Sequence, residues 1–121
     1  MLLDSNVIIY AAKPEYEHIR RFLNNEPLLV SAISIVEVLG YHRLKSEERE
    51  YIERFFNIAR VLAISDSVIA KAVKLRQTRR MSLGDSVIAA TAIIFQEPLI
   101  TRNVSDFDWI EGLTVTNPFE A

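Results

Sequence analysis

Short apolar segments alternate with helical ones along the whole chain, and this alternation restricts the fold more tightly than any other feature. Met1–Asp4, Leu28–Val30, Val61–Ile64, Pro98–Thr101 and Leu113–Thr116 are predicted strands. Apolar residues at helical spacing predict helices over Ser5–Ala12, Glu15–Asn25, Ser34–Leu44, Ser46–Ala59, Ser67–Arg79 (capped by Asp66) and Ser82–Phe95. Strands that alternate with helices cannot pair as tight hairpins, so the expected class is α/β. The sheet should be central, mostly parallel, of four to five strands, with helices on both faces. A length of 121 residues fits one domain spanning 1–121. From Val87 onward the Ser82–Phe95 segment has almost no polar face, so that helix is expected to be buried on most sides.

The chain contains no cysteine, which excludes disulfides and thiolate zinc sites and fits a reducing compartment. Met1 is followed by apolar residues rather than the basic start of a secretion signal, and no apolar run reaches membrane-spanning length. A cytoplasmic protein with no membrane association is expected. The formal net charge of −2 gives no bulk support for nucleic-acid binding. Locally, Lys71, Lys74, Arg76, Arg79 and Arg80 form a basic stretch, which reads as a solvated helix face or as a phosphate contact.

Most acids lie on polar helix faces and turns. Asp4, Glu37 and Asp85 instead sit in or beside apolar runs, each expected near a helix start, and Asp106 lies in a loop after the Pro98–Thr101 strand. Each has an architectural reading. Ser34 and Glu37 have capping-box spacing, Ser82 and Asp85 a similar one; Asp4 could cap the helix beside it and Asp106 could stabilise a turn. All four also fall where a single sheet edge could gather them, and ligands of open α/β sheets bind outside the carboxyl ends of strands. Carboxylates brought together raise one another's pKa and repel unless a cation joins them. Oxygen-only donors suit Mg²⁺ or Mn²⁺. Such an ion can activate water and neutralise a phosphodiester, so metal-assisted phosphodiester hydrolysis is the chemistry expected.

The same residues resemble the PIN-domain ribonucleases of the VapC toxin type. The matching stretches are Asp4-Ser-Asn-Val-Ile-Ile-Tyr, Ile33-Ser-Ile-Val-Glu-Val-Leu, Leu83-Gly-Asp-Ser-Val-Ile-Ala-Ala-Thr-Ala and Leu99-Ile-Thr-Arg-Asn-Val-Ser-Asp-Phe, and the similarity runs from the first strand to the last. The resemblance implies a PIN-like fold, often dimeric, one or two divalent ions, cleavage of RNA, and pairing with a small antitoxin protein. It implies that Asp4, Glu37 and Asp85 are catalytic metal ligands and that Asp106 is one directly or through water. Ser5, Thr101 and Asn103 would orient ligands or water, and they also read as a helix cap and loop hydrogen bonders. Asp106 is preferred to Asp108 on the same resemblance. Arg79, Arg80 or Arg102 would steer phosphates. His18 and His42 have no matching partner and read as surface or packing residues; Tyr41, Tyr51, Phe55 and Phe56 read mostly as core.

Two other classes compete with the endoribonuclease. A catalytically silent PIN scaffold would bind RNA or a protein partner while keeping the acids. A receiver-like or phosphatase domain with an Asp nucleophile would need a lysine beside the phosphoryl site, and the strand ending at Thr101 offers none.

Overall fold

The computed structural model describes residues 1–24 and 27–120. Five strands are built: β1 (Leu2–Leu3), β2 (Leu29–Ser31), β3 (Arg60–Leu62), β4 (Leu99–Ile100) and β5 (Val115–Thr116). They form one parallel sheet in the order β3-β2-β1-β4-β5. The chain moves from β1 outward to β3 on one side, then returns to place β4 and β5 on the other. Strand order therefore reverses at β1, and a crevice opens at its carboxyl end.

Among the described residues, six α-helices fill the crossovers: α1 (Ser5–Ala11), α2 (Glu17–Leu23), α3 (Ala32–Leu39), α4 (Ser46–Ile58), α5 (Asp66–Thr78) and α6 (Leu83–Ile94). Alternation along each strand divides the apolar residues between two cores. Leu2, Leu29 and Leu99, which share one register, face α5 and α6 together with Leu62. Leu3, Val30 and Ile100, one residue further on, face α1 to α4. Burying both sheet faces requires apolar residues at both registers, as in the central β1 and β4; the edge strands β3 and β5 instead expose Arg60, Val61 and Thr116.

The mostly apolar helix is placed as its composition requires as far as Ala92, while Ile94 and Phe95 at its end are exposed. In α6 every residue from Ser86 to Ala92 is buried. Its two hydroxyls there are satisfied within the helix, Ser86 Oγ donating to Leu83 O at 2.6 Å and Thr91 Oγ1 to Val87 O at 2.7 Å. The carboxyl end of α1 is closed by Arg20, whose guanidinium donates to Ala11 O and, at 2.9 Å, to Ala12 O while lying 4.2 Å from the Tyr51 ring centroid.

Several boundaries differ from expectation. The second helix begins with a separate 3₁₀ turn, Pro14–Tyr16, because Pro14 fixes the local backbone, and α2 ends at Leu23; the expected terminal residue Asn25 lies outside the described residues. α3 starts two residues earlier than Ser34, since Ser31 is its N-cap and accepts from Ile33 N at 3.2 Å, and it stops at Leu39. Ser34 and Glu37 therefore form no capping box; Glu37 lies in the second half of α3, not near its start. Ser65, rather than Asp66, caps α5 by accepting from Val68 N. Glu48, on the otherwise polar face of α4, is only 6% exposed, held by Lys45 N and Lys13 Nζ, both at 3.1 Å. Of the aromatic residues expected mostly in the core, Phe55 is buried, whereas Tyr41, Tyr51 and Phe56 are half-buried. Among the described residues, no helix is long and apolar enough to cross a membrane.

Candidate active site

The crevice at the carboxyl end of β1 receives residues from several elements. Asp4 is the first residue after β1, and its backbone N–H still donates to Ile100 O at 2.9 Å. It occupies the N-cap position of α1, but its carboxylate makes no capping hydrogen bond of normal geometry. Instead Oδ2 accepts from Thr101 Oγ1 at 2.8 Å. Thr101 follows β4 directly and is wholly buried; its hydroxyl also accepts from Asn103 N at 3.0 Å. The adjacency of β1 and β4 thus brings a threonine to an aspartate from the other end of the chain.

Glu37 enters from α3. Its Oε1 accepts the Ser5 hydroxyl proton at 2.7 Å. A serine hydroxyl has one proton to give, so the 2.9 Å contact between Ser5 Oγ and the buried Ser34 Oγ is completed by the Ser34 proton. The other side of the Glu37 carboxylate lies against Gly84, where a Cβ would come within 2.8 Å of Glu37 Cδ. Asp85, the next residue, stands in the first turn of α6, where its backbone N–H donates to the Ser82 cap at 3.1 Å.

Asp4, Glu37 and Asp85 line one cleft of about 520 Å³, together with Ser5, Asn103 and Arg102. Asp106, from a 3₁₀ turn at Val104–Asp106, lines a neighbouring cleft that shares Asp85 with the first. Asp108 is exposed and lines neither, as are His18 and His42.

Electrostatics ties the acids together. Asp85 is pushed up to about 6 by burial and then by the negative charges of Asp4, Asp106 and Glu37. Burial also raises the Asp4 carboxyl; the Thr101 hydrogen bond pulls it back, and the Glu37 charge adds to the rise. Among the described residues, none of the four acids has an ion-pair partner: the Lys13 ammonium in the same cleft is paired with Glu48. Nor do three of them already stand together as a closed metal cage. The donor set is nevertheless all carboxylate oxygen, with Thr101 and Ser5 fixing one oxygen each on Asp4 and Glu37, which is the chemistry that Mg²⁺ or Mn²⁺ prefers.

Some contributors carried no clear sequence signal. Ser34 looked like a cap and is a buried link to Ser5. Gly84 has no turn to make; its use is the space it leaves for Glu37, and a glycine inside an otherwise apolar helix is the one hint of it. Arg102 rests against an edge-to-face pair of rings, 4.8 Å from the Tyr10 centroid and 5.0 Å from that of Phe119, the two centroids being 5.2 Å apart.

The chain matches the PIN domain family over residues 1–111. Ribonuclease VapC10 of Mycobacterium tuberculosis is 30% identical over 124 residues, covering 93% of this chain and 90% of that protein. Ribonuclease VapC of Rickettsia bellii is 27% identical, covering 95% and 93%. A solved toxin–antitoxin complex from Klebsiella pneumoniae contains a chain that is 27% identical, with a TM-score of 0.79 and coverage of 99% of this chain and 98% of that one. The parallel sheet, the crevice at the carboxyl end of β1 and these similarities agree: the chain belongs to the PIN domain family, among the relatives of the VapC ribonucleases.

Proposed function

We propose that this protein is a divalent-metal-dependent endoribonuclease that hydrolyses RNA phosphodiester bonds, the toxin of a VapBC-type pair. The observation that carries the reading is the gathering of Asp4, Glu37 and Asp85 in one cleft, with Asp106 beside Asp85, and no cation paired to any of them among the described residues. In this reading the four acids hold Mg²⁺ or Mn²⁺, Thr101 orients Asp4 and Ser5 orients Glu37. The bound ion supplies an activated water and charge neutralisation at the phosphodiester. Arg102, resting against the Tyr10–Phe119 pair, holds a substrate phosphate at the rim of the cleft. A small antitoxin would occlude this cleft, and the protein would act as a cytoplasmic homodimer.

Purified protein given RNA with Mg²⁺ or Mn²⁺ should cleave it, and EDTA or Asp4→Asn should each abolish cleavage. Activity that survives both removes the reading. A second reading, a silent scaffold that binds RNA or a protein without cutting, draws on the lack of a ready-made three-acid cage among the described residues. Divalent binding by calorimetry with no cleavage of any RNA would favour it.

A further inference from the structure

The basic stretch at the end of α5 folds back to the carboxylates and forms the wall of the second cleft, of about 600 Å³. Arg76, Arg79 and Arg80 line it with Trp109, facing Asp85 and Asp106. Among the described residues none of these three guanidinium groups has an ion-pair partner. Arg76 is tethered by Nε donating to Met81 O at 3.3 Å, and Arg79 lies over the indole, 5.3 Å from its centroid. Trp109 is half-buried against the α5–α6 core, and its Nε1 donates to Asp106 O at 2.9 Å. The ring edge is thus tied to the turn that carries an acid, and the ring is held as a rigid platform.

A chain with net charge −2 has concentrated three cations beside its only tryptophan, next to Asp106 and to Asp85, which the first cleft shares. Guanidinium groups bind phosphates, and a guanidinium–indole stack accepts the face of an unpaired base. An acidic peptide would satisfy the arginines but would leave the stack without a flat partner. In the first cleft, which shares Asp85, Arg102 against Tyr10 and Phe119 repeats the pairing of cation with aromatic rings.

We propose that the Arg79–Trp109 stack is a nucleobase subsite for single-stranded RNA, with Arg76 and Arg80 holding the adjoining phosphates. The subsite rests on the reading of the carboxylate cluster as the place where an RNA strand is cut. It holds a nucleotide flanking the scissile bond, and it favours single strands because a base in a duplex has no free face to stack.

Trp109 is the only tryptophan, so its emission reports the stack directly. In EDTA, the full chain is titrated with single-stranded RNA of roughly a dozen nucleotides, or with an equally long abasic ribose-phosphate strand. Base-bearing RNA should quench the emission and the abasic strand should not. Arg79→Gln and Arg80→Gln together should weaken binding about tenfold. Binding of labelled RNA, read by anisotropy, should fall with Trp109→Ala and recover with Trp109→Phe. Equal quenching by both strands, quenching unaffected by the two arginine changes, or equal quenching by duplex RNA would overturn the subsite. Base-dependent quenching without cleavage in Mg²⁺ or Mn²⁺ would uphold the subsite while removing the nuclease.

Discussion

Thr101 Oγ1 donates to Asp4 Oδ2 across 97 positions of sequence, at 2.8 Å and out of contact with solvent. The bond joins the residues that follow two neighbouring parallel strands, and it gives a buried carboxylate a partner that is not a cation. Thr101→Val preserves shape and removes that donor, along with the acceptor for Asn103 N. The expected cost is about 1–3 kcal/mol of stability by denaturant unfolding, with a further rise in the Asp4 pKa. Thr101→Ser should recover most of both. Unchanged stability in the valine variant would show that the bond does not hold Asp4.

Gly84→Ala should separate fold from site. Alanine is better than glycine in a helix by about 1 kcal/mol, so stability should hold or rise. The added methyl group must displace the Glu37 carboxylate, whose exposed side chain can swing away at the cost of its hydrogen bond from Ser5. RNA cleavage is expected to fall at least tenfold in a protein that melts no lower than the parent. Full activity would show that the position of Glu37 is not critical.

The raised pKa of Asp85 predicts a pH dependence for the metal-free protein. Between its ordinary value of 3.8 and about 6, the folded state binds more protons at this site than the unfolded chain. The contribution of Asp85 to stability is therefore full below the ordinary value and lost as pH rises through about 6. Asp85→Asn should raise the melting temperature in EDTA at pH 7, with the difference from the parent vanishing near pH 4. Mg²⁺ should raise the melting temperature of the parent at pH 7 and leave that of the variant largely unchanged. A lower melting temperature for the variant in EDTA would contradict the repulsion described here.

Glu48 pairs with a lysine that also lines the first cleft. Its carboxylate is buried between Lys13 Nζ and Lys45 N, and Lys13 is about one-third exposed. Glu48→Ala should cost about 1–3 kcal/mol, a range below that of fully buried pairs because solvent screens the lysine. Chemical denaturation measures it, and a change below about 0.5 kcal/mol would place the residue among ordinary surface acids.

The order of strands and helices, the parallel sheet and the burial of α6 were legible in the sequence because they follow from apolar periodicity, a property of each segment alone. So was the oddity of Asp4, Glu37 and Asp85, acids set in or beside apolar runs, although burial raises only Asp4 and Asp85 while Glu37 stays exposed. What tertiary structure decided was company. Ser34 gives no sign from its neighbours that it will meet Ser5 rather than cap a helix, and Glu48 lies on a polar-looking helix face until Lys13 covers it. Gly84 leaves room for a carboxylate from another helix, and Trp109 receives Arg79 from α5. Periodicity reports which face of an element is buried, whereas hydrogen bonds and stacks depend on which distant element arrives there. In this chain the reversal of strand order at β1 sets that arrival.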